Sequence, residues 1–155
     1  MSDDLIKLYS GRILALAADV PHTDPIEAPM ATARRRSPLC GSTVTVALDL
    51  DDGGRIARYA QDVRACALGQ ASAALSGAAM VGRTLPEVRA ARDGLAAMLT
   101  AGGPGPGAPF EGFEVLAPAR DYRNRHASIL LALEATVEAM EAAGGRAEQP
   151  EAAPS

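Results

Sequence analysis

Tryptophan is absent from the 155-residue chain, and with two Phe and three Tyr the aromatic share is only 3%. A core built on large rings is therefore excluded, and the interior must come from Leu, Val, Ile and Met with many close contacts between small residues. Lysine is nearly absent too, since Lys7 stands alone and arginine supplies the remaining positive charge. No apolar run is long enough to cross a bilayer. Met1-Ser2-Asp3-Asp4 lacks the basic and apolar regions of a secretory leader, so a cytoplasmic protein without a membrane partner is expected. A net charge of -4 and a pI near 5.1 give no general attraction to nucleic acid. Only two cysteines occur, Cys40 and Cys66, and in a reducing compartment these serve as thiols or ligands more readily than as a disulfide.

What is present has the length of one domain, expected over residues 1–143, with a disordered tail over 144–155. The 48% hydrophobic fraction comes largely from alanine, which favours close helix packing. Leu5, Leu8, Ile13, Leu14 and Leu16 predict a short amphipathic helix between Asp3 and Asp19, with Gly11 weakening its middle. Pro21, Pro25 and Pro29 then interrupt regular structure, and Met30 to Arg36 reads as an edge strand whose Arg34, Arg35 and Arg36 solubilise the edge. From Thr43 to Leu50, Val44, Val46, Leu48 and Leu50 alternate with smaller or polar residues, the period of a half-buried strand. Asp51-Asp52-Gly53-Gly54 supplies a reversal, and Arg55 to Val63 completes a hairpin.

Helices follow. Leu68, Ser72, Leu75 and Ala79 share a helical face, with Gly82 as the stop. Thr84-Leu85-Pro86-Glu87 has the form of a capping box opening a second helix through Val88, Leu95 and Leu99. Ala101 to Pro109 is Gly/Pro-rich and predicts a surface connection, and Glu114 to Arg120 has room for one helical turn. A last helix from His126 to Ala143 carries a stripe of Ile129, Leu130, Leu133, Val137 and Met140 and stops at Gly144-Gly145. A helix, three strands and then helices define an α+β fold, a small antiparallel sheet with helices packed on one face.

Three residues at element boundaries carry potential chemistry. Cys40 precedes the best strand. Cys66 lies where hairpin gives way to helix, where backbone N–H groups favour a thiolate. His126 opens the last helix. Thiols and imidazole together can ligate a metal if they converge at one end of the sheet. The plainer alternative is a loop thiol, a small buried residue and a helix-start histidine. A Cys66–His126 nucleophilic pair is a third reading, for which no orienting carboxylate or amide can be named.

The segments Leu8-Tyr9, Pro38-Leu39-Cys40-Gly41, Ala65-Cys66-Ala67-Leu68-Gly69-Gln70-Ala71-Ser72-Ala73, Gly82-Arg83-Thr84-Leu85 and Arg123-Asn124-Arg125-His126-Ala127-Ser128-Ile129-Leu130-Leu131-Ala132-Leu133 resemble the NifU-like N-terminal domain family. Those proteins are U-type scaffolds of iron–sulfur cluster assembly, and the long Gly/Pro-bearing connection resembles the Suf-type branch. The resemblance implies a three-stranded antiparallel sheet with helices. It also implies a binding and transfer protein, not an enzyme with its own turnover, which holds iron, an iron–sulfur cluster or zinc. The implied partners are a cysteine desulfurase and cluster acceptor proteins. Family members use three cysteines and an aspartate. By position, Cys40 and Cys66 match the first two cysteines, His126 replaces the third and Ser42 replaces the aspartate. Histidine replaces cysteine in some clusters, and two thiolates with an imidazole and water also make a zinc site, whereas a serine hydroxyl is a poor ligand. The expected metal ligands are thus Cys40, Cys66 and His126, with Ser42 at a possible fourth position and the two thiols as sulfur acceptors. The other expectation is a diverged homologue without assembly activity, a zinc-stabilised or metal-free interaction module.

Overall fold

The computed structural model describes residues 11–38 and 41–148, and side chains as far as 144. Cys40 and Leu39, the first part of the expected N-terminal helix with Leu8-Tyr9, and the end of the expected tail lie outside these residues.

The described chain begins with α1 (Gly11–Ala18), followed by β1 (Ala31–Arg36), β2 (Thr43–Leu50) and β3 (Ile56–Arg64) in one antiparallel sheet of order β1-β2-β3. The fold is α+β, a three-stranded antiparallel sheet with helices packed against it. Val44, Val46 and Leu48, the residues whose alternation marked β2, are fully buried on one face. The Asp51 carboxylate accepts the Gly53 and Arg55 N–H groups at 2.9 and 3.0 Å, and Gly54 takes φ +79°, so the acidic turn residues close the hairpin as their chemistry requires. A bulge at Asp49/Leu50 shifts the register beside this turn.

The chain between α1 and β1 is a strap laid along β3. The Gln61 N–H donates to the His22 carbonyl at 2.8 Å, and Arg58 donates to the Glu27 carbonyl at 2.9 Å. The Asp49 carboxylate accepts the Met30 N–H at 2.8 Å and pairs with Arg58; the Arg58 hydrogen bond chiefly holds its carboxyl below the ordinary range.

Beyond the sheet come α2 (Ala67–Ala78), α3 (Leu85–Ala101), a 3-10 helix (Glu111–Asp121) and α4 (Arg123–Glu148). The capping box forms: Thr84 Oγ1 accepts the Glu87 N–H at 3.4 Å and the Glu87 carboxylate accepts the Thr84 N–H at 2.8 Å. Helix α4 lies between the sheet and the other helices, packing on β1 and β2 on one side and on α2 and α3 on the other. That position explains why burial extends beyond the expected stripe of Ile129, Leu133, Val137 and Met140 to Leu131, Ala135 and Ala139, while Leu130 is half-buried. The Tyr59 hydroxyl meets Thr136 Oγ1 at 2.8 Å and ties β3 to α4 through the core.

Several expected boundaries differ, and α4 starts at Arg123, three residues before His126. Helix α2 ends at Ala78, before Gly82, because the Ala79 and Met80 N–H groups turn back to Ser76 and Gly77 in a tighter turn. The single turn expected at Glu114 to Arg120 is a longer 3-10 helix, anchored by buried Phe113, Leu116 and Ala119. Helix α4 runs through Gly144-Gly145 to Glu148. Glycine stops a helix by adopting a left-handed cap, and Gly144 has no positive φ here, so the pair only weakens the last turns. No helix among the described residues is long and apolar enough to cross a membrane.

Candidate functional site

The loop between β1 and β2 is closed by two backbone hydrogen bonds, Ser37 N–H to the Ser42 carbonyl at 2.8 Å and Gly41 N–H to the Ser37 carbonyl at 2.9 Å. Gly41 takes φ +71°, a left-handed conformation that favours glycine, and this reversal turns Ser42 inward, where it is 3% exposed. Cys40, which directly precedes Gly41 in the sequence, lies outside the described residues.

Cys66 occupies the N-cap position of α2, with extended backbone at φ -66° and ψ 170° and no side-chain capping bond. Its thiol is free and half-buried. The sulfur is therefore available to a partner, and the partner it finds is Ser128 Oγ at 3.4 Å. The Ser128 hydroxyl donates in turn to Ser42 Oγ at 3.1 Å. Because a hydroxyl has one proton, the Cys66 thiol is the donor in this arrangement, and a thiolate can be served only if Ser128 turns from Ser42. The Ser42 and Cys66 positions are thus brought to one corner of the sheet, bridged by Ser128.

Gly69 makes this corner possible. A Cβ there would stand 2.6 Å from Ser128 Oγ, 2.8 Å from Ala65 Cβ and 3.3 Å from the Ser128 carbonyl oxygen, so α2 and α4 approach closely at this point. The Ser72 hydroxyl fastens the same contact by donating to the Ile129 carbonyl.

His126 is engaged elsewhere. It precedes Ser128 by two residues, ~200° around the helix. Its Nε2 lies 3.0 Å from the Ala119 carbonyl and 3.1 Å from the Arg120 carbonyl. Both partners are acceptors, so Nε2 is the donor to them and Nδ1 is the nitrogen left for a ligand. A metal-ligating imidazole commonly donates its other N–H to a backbone carbonyl in this way. Among the described residues, no group of three or more His, Cys, Asp or Glu stands close enough to hold a metal, and Cys40 is not among them. The donors to be weighed are therefore the Cys66 thiol, the Cys40 thiol, His126 Nδ1 and the weak Ser42 hydroxyl. Thiolate and imidazole suit iron and zinc, and a hydroxyl that already accepts from Ser128 adds little.

Ser128 is the residue that sequence reasoning passed over. A polar residue on the buried side of an otherwise apolar helix was its only signal, since it is 1% exposed between Ala127 and Ile129.

The structure aligns with the crystal structure of the N-terminal part of a nitrogen-fixing NifU-like protein from Brucella abortus at a TM-score of 0.88, with 38% identity over 92% of this chain and 99% of that one. The chain belongs to the NifU-like family. A second match is a crystal structure named for an iron–sulfur cluster assembly scaffold of the SUF system from the thermophile Fervidobacterium islandicum AW-1. Its TM-score is 0.75, with 21% identity over 87% of this chain and 98% of that one, and at that identity it speaks for the fold alone. No family model matches the NifU-like sequence, and no curated protein matches it.

Proposed function

We propose that this NifU-like protein is a single-domain scaffold or sulfur acceptor of iron–sulfur cluster assembly, acting in the cytoplasm by binding and transfer. The observation that carries the proposal is the free Cys66 thiol at the start of α2, linked through Ser128 to Ser42 on a chain with a NifU-like fold. Cys66 takes up sulfur, with Cys40 as the second thiol. His126 is the third ligand, through Nδ1 once its ring turns toward the thiols, and Ser42 stands at the fourth position as a weak donor. The cargo is iron or an iron–sulfur cluster, and zinc competes for the same donors. Sulfur arrives as the terminal atom of a persulfide on a cysteine desulfurase. The Cys66 thiolate attacks that atom, the donor's S–S bond breaks, the donor leaves as thiolate and Cys66 becomes the persulfide. Acceptor proteins then take the assembled cluster.

One observation favours a second reading, a diverged homologue acting as an interaction module. The Ser42 hydroxyl is buried and engaged with Ser128, which leaves a neutral group at the carboxylate position. Anaerobic reconstitution with ferrous iron, a cysteine desulfurase and cysteine separates the two. Visible charge-transfer absorption, or a mass gain of one sulfur atom on the Cys66 peptide, supports the scaffold; neither signal, with a fold indifferent to chelator, leaves the module. Zinc titration of the parent and the His126→Ala variant tests the imidazole, and equal weak binding by both retires its role.

A further inference from the structure

Side chains of β1 alternate between the two faces of the sheet. Ala31 and Ala33 are buried on the α4 side, and Arg35 reaches Glu134 and Glu138 of α4 at 3.8 and 3.3 Å. Thr32, Arg34 and Arg36 stand on the other face. The register extends this into rows: Arg36–Thr43–Arg64, then Arg34–Thr45–Asp62, then Thr32–Ala47–Ala60. Cross-strand partners share a face, so Arg34, Arg36 and Arg64 project together beside a single acid, Asp62. Arg64 meets Asp62 at 3.5 Å, with both side chains mostly exposed. Arg34 and Arg36 form no ion pair or hydrogen bond among the described residues, although Arg58, Arg83, Arg89 and Arg92 each reach a carboxylate.

This positive surface lies at the thiol end of the sheet. Cys66 follows Arg64 by two residues, and Ser42 directly precedes Thr43. At its other end the third row, with Thr45, floors a cleft of about 280 Å³ walled by Pro25, Ile26 and Pro29 of the strap. An apolar cleft adjoining unneutralised guanidinium groups matches an extended segment that offers one aliphatic side chain and neighbouring carboxylates. With strands ~4.8 Å apart and ~3.3 Å per residue along them, the three rows span about 10 by 13 Å, room for four or five residues. A footprint that small gives weak, salt-sensitive binding. Nucleic acid fits less well: the rows offer no aromatic ring for a base to stack on, and the whole chain carries -4.

We propose that the open face of the sheet docks an acidic, aliphatic-anchored segment of a partner protein, with the anchor in the cleft and the carboxylates on Arg34 and Arg36. A partner so seated lies beside Cys66. That this partner exchanges sulfur or metal with Cys66 rests on the proposed function; the docking itself does not.

The probe is a fluorescein-labelled peptide, Glu-Asp-Leu-Glu-Glu, titrated with the full chain and followed by anisotropy. Arg34→Glu/Arg36→Glu should weaken binding about tenfold at low salt, since exposed pairs contribute modestly and reversal makes them repulsive. Replacing the peptide leucine by serine should weaken it several-fold. Arg12→Glu/Arg55→Glu, which changes two exposed arginines off these rows, should bind as the parent does. Unfolding temperatures confirm that each variant is folded. Docking is overturned if the Arg34/Arg36 variant binds like the parent, if the leucine is dispensable, or if a single-stranded oligonucleotide of equal charge competes equally. Reconstitution with free sulfide and ferrous iron needs no docking. Its failure in the parent would sink the scaffold reading while leaving the peptide result intact.

Discussion

Gly69→Ala tests the close approach of helices on which the site depends. In the first turn of α2, where Gly69 is the third residue, alanine would ordinarily stabilise by up to about 1 kcal/mol over glycine. Here the new methyl would lie 2.6 Å from Ser128 Oγ, 2.8 Å from Ala65 Cβ and 3.3 Å from the Ser128 carbonyl oxygen. The hydroxyl can rotate, but only by leaving Ser42 or Cys66, and each such hydrogen bond is worth about 1 kcal/mol. Ala65 Cβ and the carbonyl are fixed to the backbone, and overpacking of that kind costs about 1 to 3 kcal/mol. The opposing effects leave a net loss of about 1 to 3 kcal/mol, which for a chain of this size lowers the unfolding temperature by about 2 to 12 °C. Scanning calorimetry reads it directly. Ser128→Ala in the same background should recover part of the loss, since it removes the atom of closest approach, and a double-mutant cycle should show coupling of at least about 0.5 kcal/mol. An unfolding temperature equal to or above the parent's would refute the contact and the placement of Ser128 beside Cys66.

Other outcomes follow from the core. Leu133, fully buried in α4, should lose about 2 to 5 kcal/mol on substitution by alanine, whereas Glu138→Ala, which removes an exposed pair with Arg35, should lose at most about 1 kcal/mol in denaturant melts. Burial pushes the Tyr59 phenol above its ordinary value, against the smaller lowering effect of the Thr136 hydrogen bond. The folded state therefore keeps a proton that the unfolded chain releases from about pH 10, so stability falls as pH rises above that point. Tyr59→Phe should flatten this alkaline decline while lowering neutral-pH stability by about 1 kcal/mol, and melts from pH 8 to 11 will show whether the slope changes.

Legibility in the sequence tracked how local each cause is. The alternation of β2, the acidic hairpin turn and the Thr84–Glu87 box each depend on residues a few positions apart, and all three formed. Helix ends were less legible, because Gly144-Gly145 stops a helix only if the chain beyond it turns away, and α4 instead continues to Glu148. Within the site, Cys66 at a helix start was visible, but the bridge from Ser42 to Cys66 was not. Ser128 joins residues 86 and 62 positions away, and they meet where α2 and α4 pack closely at Gly69. The arginine triplet divides for the same reason: β alternation sends Arg35 to α4 and its neighbours to the open face, so a run expected only to solubilise has two different surroundings.

On the scaffold reading, the changed donor set alters how firmly cargo is held. Three thiolates and a carboxylate would present four negative charges to iron, whereas Cys40, Cys66, neutral His126 and the Ser42 hydroxyl present two. Fewer anionic donors hold a cationic metal less tightly, and a scaffold that must release its cargo gains transfer speed from that weakness. Restoring the charges with Ser42→Asp/His126→Cys should raise affinity for zinc or cluster by at least about tenfold, the effect of ~1.4 kcal/mol. It should also slow release of a reconstituted cluster to an apo-acceptor. Without metal the same variant should be less stable than the parent, because the new carboxylate would occupy a site that is 3% exposed, with Ser128 as its hydrogen-bond donor. Added zinc at about a hundred times its dissociation constant should return about 2.7 kcal/mol. Unchanged affinity with unchanged apo stability would mean that the two positions do not face a common ligand, and Cys66 would then act as a sulfur acceptor without them.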